Sequence, residues 1–105
     1  MPLTVSVTCP DLTTARALAR AALEARLAAC ANILPGVESH FWWDGALEQD
    51  TEVLLSFKTA TAHRDALVDV INAAHPYDLA AITWSDDGAP EAVHDWIAQE
   101  TASGG

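Results

Sequence analysis

Residues 3 to 9 alternate apolar Leu3, Val5, Val7 and Cys9 with polar Thr4, Ser6 and Thr8. A period of two puts the first set on one face and the second on the other, which predicts a half-buried strand. Pro10-Asp11 stops it, and Ala15, Leu18, Ala19, Ala22 and Leu23 then recur at the spacing of one helix face. Asp11 is placed to cap that helix, which the pattern carries to about Ala28. Its stripe is mostly alanine, so it can lie close on a sheet.

Residues 29 to 43 are rich in strand formers, interrupted at Pro35-Gly36 and closed by Asp44-Gly45, a strong signal for a tight hairpin turn. The return arm sets Val53, Leu55 and Phe57 on one face and Leu54, Ser56 and Lys58 on the other, and ends near Thr59. Two arms of about 14 residues at about 3.3 Å each span about 45 Å, against about 35 Å for a compact domain of this length. The hairpin is therefore predicted to overhang its own domain, and a soluble protein manages such a ribbon by pairing it. A second helix, capped by Thr61, carries Leu67, Val70, Ile71 and Ala74 on one stripe and ends at His75-Pro76. A short strand over residues 79–85, a turn at Asp86-Asp87-Gly88 and a helix with Pro90 in its first turn and Val93, Trp96 and Ile97 on its apolar face complete the chain. This order predicts an α+β, ferredoxin-like βαββαβ domain with a long central hairpin and an extra C-terminal helix. It reads as one domain over residues 1–101, with 102–105 as a flexible tail.

Charge narrows the partners. Fifteen acidic against five basic residues leave a net charge of −10. Such a surface repels phosphate backbones and anionic lipid, which excludes nucleic acid and membrane surfaces and leaves cations or basic partners. The opening residues lack a basic segment followed by a long apolar run, and Cys9 and Cys30 form no CxxC pair. Both features suit a soluble protein of the reducing cytoplasm.

The candidate chemistry is sparse. His75 ends a helix, where its ring can satisfy free carbonyls or act as a metal ligand. Cys9 reads as a small core residue or a soft ligand, and Cys30 as a buried thiol. Glu48, Asp50 and Glu52 recur at period two, so they share a strand face that is either a solvated edge or a loose row of oxygen ligands. Lys58, the only lysine, falls on the face of Glu52 and reads as half-buried, either in a structural ion pair or binding an anion beside Tyr77 in a cleft between subunits. His40, His63 and His94 have no ligand spacing. No nucleophile elbow, phosphate-cradling loop or HExxH is present, so the chain reads as a binding protein rather than an enzyme.

Residues 26–59, RLAACANILPGVESHFWWDGALEQDTEVLLSFKT, with VTCPD near the start and HPY at 75–77, resemble the hallmark segments of the CutA divalent-cation tolerance family. The resemblance implies a ferredoxin-like subunit in a homotrimer, with the hairpin packed across neighbours and clefts between subunits that can hold small molecules. It implies no obligatory cofactor and weak, reversible binding of copper(II) or another divalent cation, with His75 matching a proposed copper ligand. Val7, Ala74, Ala80 and Ala81 stand where that pattern in other members has Cys, His, Pro and Glu. Glu52 and Trp43 match family positions and Phe41 stands for a tyrosine, whereas Trp42 falls at a variable one; all three aromatics are expected at an interface. Alternative roles for such a trimer are a small-molecule sensor using the clefts that Lys58, Tyr77 and Glu52 would line, or a structural anchor for another protein.

Overall fold

The protein is described by a computed structural model over residues 1–102. Of the expected tail, residues 103–105 lie outside the described residues. The elements run β1 (Pro2–Cys9), α1 (Leu12–Glu24), β2 (Cys30–Trp43), β3 (Ala46–Ala60), a 3-10 turn (Thr61–His63), α2 (Arg64–Ala74), β4 (Thr83–Asp86) and α3 (Glu91–Glu100). The four strands form one antiparallel sheet in the order β2-β3-β1-β4. Val5, Val7 and Cys9 of β1 and Leu55 and Phe57 of β3 point to the side where α1 packs with Leu18 and Ala22, and α2 with Leu67 and Ile71. This is the ferredoxin-like α+β plan expected from the alternation.

α1 begins as its cap dictates. Asp11 is extended and accepts a hydrogen bond from the Thr14 amide at 2.7 Å, which holds its carboxyl below the ordinary aspartate range. The helix stops earlier than its pattern. Arg26 turns left-handed at φ 59°, its amide donates to the Leu23 carbonyl, and the Leu27 amide donates to that of Ala22. That pair of bonds closes a helix at a residue in the left-handed conformation. The Arg26 guanidinium reaches the carbonyl and carboxylate of Glu100, both at 3.2 Å, tying the end of α1 to the end of α3.

Asp44 and Gly45 both have positive φ, 50° and 79°, as a two-residue turn between twisted strands requires. Pro35 and Gly36 form a bulge: Leu34 pairs with Leu54, and the next pair is Val37 with Glu52. The bulge shifts the phase of β2. Beyond it Val37, Ser39, Phe41 and Trp43 share a face with Glu52, Asp50 and Glu48, while Glu38, His40 and Trp42 share the other with Thr51, Gln49 and Leu47. The hairpin projects as expected, giving a molecule of 46 × 25 × 22 Å.

Three local expectations are corrected. β4 starts at Thr83 rather than residue 79, because the Ile82 amide bonds back to the Ala80 carbonyl at 2.9 Å and keeps that stretch off the sheet. Thr61 does not cap α2; its hydroxyl donates to the Met1 carbonyl at 3.2 Å. On α3 only Ile97 of the apolar stripe is buried, and Val93 and Trp96 remain exposed.

Candidate functional site

β1 ends at Cys9, which pairs with Val53, so Glu52 lies one residue past the strand that would cover it. It is nonetheless only 6% exposed. A carboxylate in that position requires a hydrogen-bond donor. The Tyr77 hydroxyl supplies one, donating to Oε2 at 2.9 Å. Burial, then the hydrogen bond and charge of Glu52, push the Tyr77 phenol well above its ordinary value.

His75 closes the cluster from the end of α2. The Thr8 carbonyl lies 2.9 Å from Nε2 and can only accept, so Nε2 carries the hydrogen and donates. Nδ1 then accepts the Tyr77 amide at 3.2 Å, and the two rings tilt against each other with centroids 4.7 Å apart. A neutral imidazole has one donor and one acceptor, and both are occupied here. Cys9 lies fully buried in the core, and desolvation, followed by the charges of Glu52 and Asp11, pushes its thiol up to about 11. At neutral pH it is a thiol, and the thiolate is the metal ligand. The fold thus gathers His75, Tyr77, Glu52 and Cys9, with both His75 nitrogens and one Glu52 oxygen engaged within the cluster or with backbone. Among the described residues no group of three or more His, Cys, Asp or Glu side chains is arranged to hold a metal ion.

Within one subunit Lys58 stands apart from that cluster. It is exposed, six residues or about 20 Å along β3 from Glu52, and its ammonium donates to Asn32 Oδ1 at 3.1 Å. The shared parity of positions 52 and 58 is real, but strand length separates them. Lys58 instead borders a cavity of about 440 Å³ with Thr4, Asp87, Val93 and Ile97, where the Thr4 hydroxyl donates to the Asp87 carboxylate. Cys30, expected to be buried, is partly exposed, because it opens the edge strand β2 and no further strand covers it.

The hairpin carries the remaining candidates. Phe41 is 37%, Trp43 48% and Trp42 74% exposed, so the aromatic expected to stand apart is the barest. Glu48 and Asp50 are exposed, unlike Glu52. His40, which its sequence spacing left without a role, lies with Nε2 at 2.8 Å from the Glu38 carboxylate. The signal for that pair is a two-residue separation on a strand.

A family model described as CutA1 divalent ion tolerance protein matches residues 3–100. Protein CutA of Mus musculus is 39% identical over 99 residues, covering 92% of this chain and 55% of the mouse protein. Divalent-cation tolerance protein CutA of Salmonella newport is 47% identical over 73 residues, covering 70% of this chain and 64% of that protein. This chain therefore spans roughly half to two thirds of these relatives. Among solved structures, the Cut A1 divalent cation tolerance protein of Thermus thermophilus superposes with a TM-score of 0.93 at 36% identity, covering 97% of this chain and all of that one (100%). CutA1 of Oryza sativa superposes with 0.91 at 34% identity, covering 98% and 95% of the two chains.

Proposed function

The chain belongs to the CutA1 divalent ion tolerance family, and on that premise we propose that it serves divalent-cation tolerance by binding copper(II) or another divalent ion weakly and reversibly, as a cytoplasmic homotrimer. The observation that carries this reading is the charge of the projecting hairpin. Glu38, Asp44, Glu48 and Asp50 are exposed on it, and no lysine or arginine occurs between Leu27 and Phe57. An acidic element standing clear of the domain raises the local cation concentration, and scattered oxygen donors release ions as readily as they take them. His75 and Cys9 would ligate only after giving up a hydrogen bond and a proton, respectively, which also favours weak binding.

The exposed aromatics of the 46 Å molecule support the trimer, since such a ribbon is covered in a soluble protein. Cys9 and Cys30 are free and sit opposite Val53 and Lys58 on different flanks of β3, too far apart to bridge, which fits a reducing compartment.

Titration calorimetry with copper(II) tests the reading. Saturable, weak heat is expected from the wild type and from His75→Ala, and less from Glu48→Gln/Asp50→Asn. A wild type without saturable heat overturns it.

A second reading has its own support. The only lysine, with no carboxylate within ion-pair distance among the described residues, borders the cavity near β4, where it would have to bind a small anionic molecule against the charge of Asp86 and Asp87. Thermal shift with carboxylate and phosphate metabolites on the wild type and Lys58→Ala separates it from cation binding.

A further inference from the structure

The cation-binding reading leaves open which side chain anchors the ion. We propose that Glu38 and His40 form a two-ligand chelate for a late first-row divalent ion, copper(II) or nickel(II), on the flank of the hairpin; this rests on the cation-binding function above and names its site.

The spacing comes from the strand. Residues two apart project from the same face, and the bulge at Pro35-Gly36 sets that face for both. His40 Nε2 and Glu38 Oε2 stand 2.8 Å apart, with both side chains more than half exposed. Two donors bound in cis, each about 2.0 Å from a square-planar or octahedral ion, lie about 2.8 Å apart. The pair thus already holds the separation a chelate needs, and the ion would replace the shared hydrogen without moving either donor far. A tetrahedral ion would spread the two to about 3.3 Å, a poorer match.

The surroundings favour a cation. Gln49 lies directly across from His40 and Thr51 across from Glu38 on the same face, offering an amide and a hydroxyl oxygen as further donors. The His40 ring makes no other hydrogen bond among the described residues, whereas both nitrogens of His75 are engaged. Asp44, Glu48 and Asp50 add negative potential on the same hairpin. An imidazole-carboxylate pair selects along the Irving–Williams order, so copper(II) should bind more tightly than nickel(II), and both more tightly than manganese(II). Calcium and magnesium, which prefer oxygen shells, should compete poorly.

Trp42 provides a local reporter, because it follows His40 by two residues on the same face and copper(II) quenches a nearby indole. The full chain is titrated with copper(II) chloride, following tryptophan emission and binding heat in the wild type, His40→Ala, Glu38→Gln, His75→Ala and Trp42→Phe. His40→Ala is expected to weaken binding by about tenfold or more, Glu38→Gln to weaken it less, and His75→Ala to leave it unchanged. Trp42→Phe should keep the heat and lose most of the quenching. Wild-type affinity in His40→Ala, or full quenching in Trp42→Phe, overturns the site while leaving cation binding intact. Absence of saturable binding in the wild type overturns both.

Discussion

The Tyr77 hydroxyl donates to Glu52 Oε2 across 2.9 Å, joining the segment after α2 to β3 at the point where β1 has run out. Among the described residues it is the one side-chain hydrogen bond to the Glu52 carboxylate, which is almost wholly buried.

Removing the donor should therefore cost more than removing the pair. Tyr77→Phe is expected to destabilise the chain by about 1–3 kcal/mol, the penalty for leaving a buried acceptor unmatched. Tyr77→Phe/Glu52→Leu should recover part of that loss. Urea unfolding of the single and double variants measures both, and an additive double variant would show that the two groups are independent.

Cys9 gives the stability a pH dependence. Its folded-state value is raised to about 11, above the ordinary thiol value of the unfolded chain, so the folded state holds the proton more tightly. The contribution is complete below the unfolded value of 9.0 and is lost as pH climbs toward 11, by about 2–3 kcal/mol. Tyr77 acts in the same direction at still higher pH. Denaturation midpoints taken from pH 8 to 11 should fall, less steeply in Cys9→Ala. A thiol reagent at neutral pH should modify Cys30, which is partly exposed, and spare Cys9.

Two glycines in open space should respond in opposite directions. Neither Gly45 nor Gly88 would bring a new Cβ within 4 Å of another atom, so only backbone conformation decides. Gly45 is at φ 79°, and Gly45→Ala is expected to cost about 1–2 kcal/mol through the left-handed penalty. Gly88→Ala should instead stabilise by about 0.4–1 kcal/mol by restricting the unfolded chain. Thermal melts of the two variants make the comparison.

If the chain forms the proposed trimer, the hairpin aromatics should divide by face in it. Phe41 and Trp43 share one face and are less exposed than Trp42 on the other. Trp43→Ser is expected to shift sedimentation toward the monomer at micromolar concentration, and Trp42→Ser to leave the trimer in place. Equal dissociation of both would place Trp42 in the same contact.

Strand and helix periods in the sequence were enough for the element order, the sheet faces of β1 and β3 and the projecting hairpin. They could not locate the end of α1, because Arg26 adopts a conformation that glycine would have signalled and arginine does not. They also could not separate Lys58 from Glu52, since parity gives the face of a residue but not its distance along the strand. The cluster around Glu52 was legible as a list of residues and not as an arrangement. That His75 is tied at both nitrogens depends on Thr8, sixty-seven residues away in sequence. The Glu38-His40 pair is hard to see in the sequence for the opposite reason, being so local that it resembles any two polar neighbours on an exposed strand.

The bulge at Pro35-Gly36 is one residue of slack between two fixed stretches of pairing. Deleting either residue there would leave Leu34 opposite Leu54 and Val37 opposite Glu52, and the tip would keep every partner it has. Deleting one residue between Glu38 and Phe41 finds no such slack. Phe41 and Trp43 would then slip to the face now held by His40 and Trp42, because a one-residue slip reverses every side chain beyond it. Among related chains, a length difference at the bulge should therefore be silent for co-assembly, and the same difference four residues later should bar it.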